Sequence, residues 1–406
     1  MLLAENYPVS RIEISRKAYR HNLKFIQSLL GKRCLFSSVI KANAYGHQIS
    51  TFTELAVSEG VKHFSVFNTE EAYQCLNSAK KWNNDQQKPK SLPSIMIMGD
   101  SEGDGLEWAI ANGMEIFMFD FQRLNHAISF AKKMGIKVKI HIEVETGLNR
   151  TGFELYDLEK LGVLLNESAE HLEILGLSTH YAGAETIANY YRIQQQYKNY
   201  QIAQKMLKAS GIKIKRRHVL CSAGIINYPK MKMEMARVGV LQYGFWPTPE
   251  TKVSFLTQNE DSLSPKDKEG HSYIHRLMSW KSTIMAIKDV SQGQFVGYGT
   301  SFMADRQMKI ATIPVGYGYG YSRSLSNQGA VLVKGKRCQV IGVVNMNVIM
   351  VDVSHVPNPE KGDEVILIGE EDGQEISVSS FSDLSNQLNY EMLSRIPADI
   401  PRIIVD

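Results

Sequence analysis

A chain of 406 residues, 43% hydrophobic and 22% charged, has the composition of an ordinary globular protein and length enough for two domains. Its formal net charge is +4, with basic residues dispersed apart from short clusters such as KIKRR at 213–217, which argues against the concentrated basic face of a nucleic-acid binder. The four cysteines, Cys34, Cys75, Cys221 and Cys338, lie far apart with no Cys-x-x-Cys pair, so neither a zinc site nor a disulfide framework is indicated.

The opening MLLAENYPVS has no basic n-region and no long apolar h-region, and does not read as a secretory signal. No apolar run reaches the roughly 20 residues that span a bilayer. A soluble cytoplasmic protein with reduced thiols, and no membrane or nucleic-acid partner, is the expectation.

From about residue 15 to 244, apolar strand-like runs alternate with amphipathic helical stretches. The strands are expected at CLFSSVIKA (34–42), HFSVFN (63–68), PSIMIMG (93–99), MEIFMFD (114–120), KVKIHIEVE (137–145), LEILGLSTH (172–180), RRHVLCSAG (216–224) and ARVGVLQYG (236–244). Helical periods lie between them, as in 120–135, 156–168 and 189–211, the last ending on Gly211 as a C-cap signal. Eight β/α alternations suit an N-terminal (β/α)8 TIM barrel of the α/β class. An open dinucleotide-binding sheet is the alternative, but no G-x-G-x-x-G follows the first strand.

The polar stretch WNNDQQKPKSLPS (82–94) reads as a loop, and LTQNEDSLSPKDKEGHS (256–272) as a surface insertion. After it come short strands with Gly or Lys-Gly turns and almost no helical period. The division drawn is therefore 1–245 for the barrel, whose first residues could join the other domain, and 246–406 for a mainly β C-terminal domain.

Catalytic groups of such a barrel collect at the C-terminal ends of its strands. Reading those ends gives Lys41 and Tyr45 after the first strand, Arg150 after the fifth and His180 ending the sixth. Ser222 closes the seventh, and Arg237 and Tyr243 lie on the eighth. Singly each has a bland reading: a strand-end lysine is usually solvated, a histidine in STHYAG is more often structural, and Arg150 could simply close a loop. It is their gathering at one rim that favours function.

Seven segments in order resemble the alanine racemase family: VIKANAYGH (39–47), IEVETGLNRTGF (142–153), STHYAGAE (178–185), ARVGVLQYG (236–244), VGYGTSF (296–302), IPVGYGYGYSRSLSN (313–327) and VVNMNVIMVDVS (343–354). The resemblance covers nearly the whole chain. It implies a fold-type III pyridoxal 5'-phosphate enzyme that is a homodimer, racemising alanine by a two-base mechanism and supplying D-alanine for peptidoglycan. Lys41 would carry the cofactor covalently, which requires a neutral amine, and would act as one base. Tyr298, from the partner subunit, would be the other. Tyr45, Ser222 and the backbone at Ser222, Gly239 and Val240 would hold the phosphate. Arg237 would face the pyridine nitrogen, with His180 linking Arg237 to the tyrosine. Arg150, the Met346 backbone and nearby Tyr317 would hold the substrate carboxylate and the mouth of the site. No metal is implied.

Three positions depart from the family's pattern. Glu143 stands where many alanine racemases carry a lysine, often carbamylated, and a fixed carboxylate could do the carbamate's work of positioning Arg150. The family's C-M-D becomes Asn345-Met346-Asn347. Ala398 falls where many racemases carry a tyrosine near the phosphate, which implies tolerance of larger substrates such as serine. Decarboxylases of this fold usually present an acid to the ring nitrogen, which Arg237 is not, and single-barrel cofactor-binding relatives lack the β domain that bears Tyr298. A catalytically silent regulator is a third rival, opposed by the retention of Lys41, Tyr298, Arg150, His180 and Arg237.

Overall fold

The structure, a computed structural model, describes residues 9–87, 91–259, 273–378 and 389–406. Its internal contacts divide the chain into two compact units. One holds Ala18–Lys41 and Phe52–His275; the other takes the described residues up to Lys17, then Ala42–Thr51, then those from Arg276 on. The chain enters on β1 (Ser10–Ser15), which belongs to the second unit.

The first unit is built on β2 (Leu35–Val39), β3 (His63–Val66), β4 (Ser94–Ile97), β5 (Glu115–Met118), β6 (Val138–Glu143), β7 (Leu172–Ser178), β8 (Arg216–His218) and β9 (Met235–Val238). They pair in parallel in the order β8-β7-β6-β5-β4-β3-β2-β9. The seam between the outer members is tied by the Arg237 N–H, which donates to the Leu220 carbonyl just past β8 at 3.0 Å. This is the expected eight-stranded barrel with intervening helices. Its strands are continuous apolar runs because helices cover their outer faces, and every residue of β3, β5 and β9 is buried.

The helices carry their signals in the sequence. Asn68 caps helix Thr69–Asn84 by accepting from the Glu71 N–H, and Glu70 and Glu71 favour its positive end. Asp120 caps Phe121–Met134, which stops at left-handed Gly135. The Thr69–Asn84 helix absorbs the first three residues of the stretch expected to be a loop from 82. Helix Pro249–Gln258, opened by a Thr248 cap with proline in the first turn, takes in 256–258 of the expected insertion; 260–272 lie outside the described residues.

Two expected strands are shorter than read. The seventh stops at His218, and Ser222 instead opens helix Ser222–Asn227. The eighth stops at Val238, because Gly239 (φ −103°, ψ −102°) turns the chain into a 3-10 turn over Val240–Tyr243. Tyr243 is therefore not a rim residue: it is buried against Phe52, and its hydroxyl donates to the Val39 carbonyl at 3.0 Å.

The second unit adds β10 (Met278–Thr283), β11 (Ala286–Val290), β12 (Met308–Ile313), β13 (Ala330–Val333), β14 (Lys336–Ile341), β15 (Ile349–Asp352), β16 (Glu364–Glu371), β17 (Gln374–Ile376) and β18 (Arg402–Val405). The sheet runs β11-β12-β15-β14-β13-β16-β10-β1-β18, with β17 on β16. Pairing is antiparallel except between β1 and β18. β1 and β10 alternate buried and half-buried residues, as a sheet with one core face should, and Ile12 lies opposite Trp280. Among the described residues, no helix is long and apolar enough to cross a membrane.

Candidate active site

β2 ends at Val39, Ile40 follows, and Lys41 comes next. Desolvation by the surrounding protein, then the Arg150 charge, pull the Lys41 amine below the ordinary lysine range; Glu71 opposes this and Arg237 adds to it. Lys41 itself remains open to solvent. An accessible amine with a depressed pKa has the chemistry of a carbonyl nucleophile.

Four consecutive non-glycine residues follow in the left-handed region: Ala42 (φ 52°), Asn43 (53°), Ala44 (55°) and Tyr45 (51°). Each costs about 1–2 kcal/mol, so the turn persists only because its surroundings hold it. Asn43 Oδ1 accepts from the Ile49 N–H at 3.0 Å, and the Gln48 N–H donates to the Asn43 carbonyl at 3.0 Å. Arg402, buried, donates Nε and Nη2 to the Gly46 carbonyl at 3.2 and 3.1 Å. Tyr45 is half-buried on this turn.

Arg150 is exposed on the loop after β6. The Glu145 carboxylate shapes that loop, accepting from the backbone N–H of Gly147, from Leu148 and Asn149 at 2.8 Å each, and from Arg150 at 3.4 Å. Glu143 Oε2 accepts from the Thr151 hydroxyl at 2.8 Å. Helix Tyr190–Ala209 braces the loop from outside: Arg192 donates to the Gly147 carbonyl and Asn199 to that of Thr146. Buried Gln196 joins this loop to the next one, donating to Thr146 Oγ1 and the His180 carbonyl while accepting from the Ala182 N–H.

His180 lies two residues past β7. Burial, then the positive charges of Arg237, Arg150 and Lys41, hold its ring near pKa 3, so it is neutral at ordinary pH. Arg237, on β9, is buried, donating to Ser178 Oγ (2.7 Å), the Thr179 carbonyl (2.9 Å), the His218 carbonyl (2.8 Å) and the His218 ring. Its Nε–H has no hydrogen bond among the described residues, and neither does the His180 ring; the bond expected between Arg237 and His180 is made instead with His218. Sequence reasoning missed this second histidine, which begins a buried chain through His141 to Glu115 and His63.

Ser222 Oγ accepts from the Gly239 N–H at 3.0 Å, setting the start of helix Ser222–Asn227 beside the turn that begins at Val240. The first N–H groups of such turns have no partner within the turn. Two of them side by side, with a hydroxyl, suit an anion such as a phosphate.

Tyr298, Tyr317 and Met346 meet in the second unit. They line a cavity of about 970 Å³ with Arg323, Asn345 and Asn347. Left-handed glycines on both sides, Gly297 (φ 74°) and Gly299 (φ 67°), push Tyr298 outward, leaving it 74% exposed. The Tyr317 N–H donates to the Asn345 carbonyl and the Gly318 N–H to that of Met346. A Cβ on Gly316 would overlap both carbonyls, so only glycine permits this approach.

Comparison with known proteins gives the lineage. Residues 14–247 match the family description "Alanine racemase, N-terminal domain" and residues 277–404 match "Alanine racemase, C-terminal domain". The chain is 30% identical over 406 residues to the alanine racemase of Leptospira interrogans serovar copenhageni, covering 98% of this chain and 96% of that one. It is 31% identical over 393 residues to that of Clostridium perfringens, covering 96% and 94%. Among solved structures, the alanine racemase of Clostridium difficile 630 superimposes with a TM-score of 0.85 at 26% identity over 99% of this chain and 97% of that one. The Bartonella henselae alanine racemase, which holds covalently bound pyridoxal phosphate, shares the fold with a TM-score of 0.76 at 22% identity, over 98% of this chain and the whole of the other. With both family domains matched in order along nearly its full length, the chain belongs to the alanine racemase family.

Proposed function

We propose that this chain is a pyridoxal 5'-phosphate-dependent alanine racemase, acting in the cytoplasm as a homodimer and supplying D-alanine for peptidoglycan. The observation that carries the reading is the Lys41 amine, kept accessible and lowered in pKa beside Arg150 and Arg237. The residues present fit the cofactor. Arg237 has an unused Nε–H for a ring-nitrogen acceptor, and Ser222 with the turns starting beside it forms an anion cradle with Gly239 and Val240.

When bound, the cofactor supplies a conjugated ring that spreads negative charge developing at the substrate α-carbon. Arg237 is a donor only and leaves the ring nitrogen without a proton, which limits that charge withdrawal and favours returning the proton to the α-carbon. In this reading Arg150 binds the substrate carboxylate. Lys41 moves the α-proton on one face and the Tyr298 hydroxyl on the other, so inversion needs both. Tyr298 comes from the partner subunit in this reading. Its exposure, with half-exposed Phe295, Met303 and Met346 on the same unit, supports a face that a second copy covers.

Breadth beyond alanine is the second reading. Ala398 is small and solvent-exposed where the family pattern has a tyrosine, which favours acceptance of a longer side chain such as that of serine.

The test is optical. Single enantiomers of alanine should lose rotation in the presence of the purified chain and added pyridoxal phosphate. Lys41→Ala should abolish both this loss and covalent retention of the cofactor, and Tyr298→Phe should slow racemisation by about 100-fold or more while cofactor is retained. Wild-type protein that leaves rotation unchanged sinks the reading.

A further inference from the structure

Beneath Arg237 a chain of hydrogen bonds runs down the barrel interior. The Arg237 Nη1–H reaches His218 Nδ1; His218 Nε2 meets His141 Nδ1 at 2.8 Å; His141 Nε2 meets Glu115 Oε2 at 2.8 Å. The same carboxylate takes His63 Nε2 at 3.0 Å and Arg216 Nη1 at 3.3 Å. His63, Glu115, His141, His218 and Arg237 are all buried. The site is built for this contact: the β6–β7 register shifts between Ile140 and His141, and a Cβ on Gly176 of β7 would overlap His141 Nδ1. No group of three or more histidine, cysteine and carboxylate side chains among the described residues is placed to hold a metal ion.

The two ends of the chain fix the hydrogens between them. Arginine only donates and an ionised carboxylate only accepts. Burial alone would raise the Glu115 carboxyl, but hydrogen bonds from His141 and His63 hold it well below the usual carboxylate range. Burial, before any neighbouring charge, keeps His141 and His218 below the ordinary histidine range and hence neutral. Glu115 then requires hydrogen on His141 Nε2, which leaves His141 Nδ1 bare to accept from His218 Nε2–H. That in turn leaves His218 Nδ1 bare to accept from Arg237. Every donor points toward the carboxylate, and no other neutral arrangement satisfies both ends.

We propose that Glu115 is a positioning residue for Arg237, acting through His141 and His218: its charge sets the tautomer of both rings so that His218 presents an acceptor and holds the guanidinium in place. The inference rests on the reading that Arg237 faces the cofactor's ring nitrogen. Without the carboxylate, the histidines are free to reverse, and a His218 Nδ1–H would then face an arginine N–H, donor against donor.

Nitrogen-15 spectra of the histidine rings in the purified chain read these tautomers directly, with no need of cofactor or turnover. His141 and His218 are each expected neutral with hydrogen on Nε2. Either ring found cationic, or with hydrogen on Nδ1, overturns the proposal, and this arm decides even where a variant fails to fold. In Glu115→Gln the two rings should become tautomer mixtures, the dissociation constant for pyridoxal phosphate should rise about tenfold, and kcat should fall with KM for alanine within about twofold. Glu115→Asp should restore much of this. Gly176→Ala, which parts the two rings and removes no ionisable group, should reproduce the cofactor loss. Glu115→Gln with unchanged tautomers overturns the inference. Wild-type chain with the expected tautomers but no uptake of pyridoxal phosphate would instead sink the functional reading and leave the tautomer assignment standing.

Discussion

Glu143 ends β6 buried, with one carboxylate oxygen on the Thr151 hydroxyl. Burial raises its carboxyl above the usual range, against the Thr151 bond and the charges of Arg237 and Arg150. The Thr151 bond and the two arginines work against that burial to keep a carboxylate behind the loop that carries Arg150. Glu143→Gln keeps the shape and removes the charge, so KM for alanine should rise about tenfold with kcat much less affected; steady-state kinetics identical to wild type would discard this role. Ala398 is tested by substrate range. Rates with D- and L-serine should lie within about a thousandfold of those with alanine, a barrier difference of ~4 kcal/mol, and a larger gap counts against the roomier pocket. Lys41 and His180, just past β2 and β7, and Arg237, on β9, could be placed from the strand pattern, and Arg150 only as part of the loop that follows β6. The Glu115 chain could not, because a polar residue opening an apolar strand reads as its solvated edge. A signal existed: His63, Glu115 and Arg216 are each the first residue of their strand, at one level of the barrel.

The left-handed turn after Lys41 is an element that propensity does not announce, since alanine and tyrosine disfavour that region. Gly46 carries its exit at φ 80°, and a Cβ there would overlap the Leu393 carbonyl oxygen. Gly46→Ala therefore meets both a strained backbone and an immovable neighbour, and should destabilise the protein by about 2 kcal/mol or more. Denaturant unfolding measures this, and a loss under about 0.5 kcal/mol would show that the turn relaxes instead. The barrel strands were legible from alternation alone, because parallel strands covered on both faces become short apolar runs. Their C-terminal ends ran too long where function intervenes: Ser222 and Gly239 begin turns that no period marks. Helix Pro249–Gln258 lay where β structure was expected, although Thr248-Pro249-Glu250 is a cap, a first-turn proline and an acid at the positive end.

Across the whole molecule, burial of neutral histidines sets the response to acid. Both units contribute: His47 lies in the β-rich unit, with burial holding it near pKa 4 despite backbone bonds from Tyr45 and Ala44, and His180 in the barrel sits near 3. His141 and His218 are lowered as well. A histidine whose folded pKa is depressed costs nothing above its unfolded value of about 6.5. As pH falls below that, the unfolded chain takes up a proton that the folded chain refuses, so stability drops by about 1.4 kcal/mol per pH unit for each such group. Carboxylates with depressed folded pKa, Glu115 and Glu234, also lose their stabilisation in acid, but only below the ordinary carboxylate range. Between about pH 6.5 and 4.5 the histidines dominate, opposed by Glu143, whose raised carboxyl lets the folded chain take up a proton first. Unfolding free energy should fall steeply through that window, with a slope near uptake of roughly three protons. His47→Gln should remove about one proton from that slope. A profile that stays level down to about pH 5 would mean these rings are protonated inside the folded chain, and the tautomer chain beneath Arg237 could not then exist as drawn.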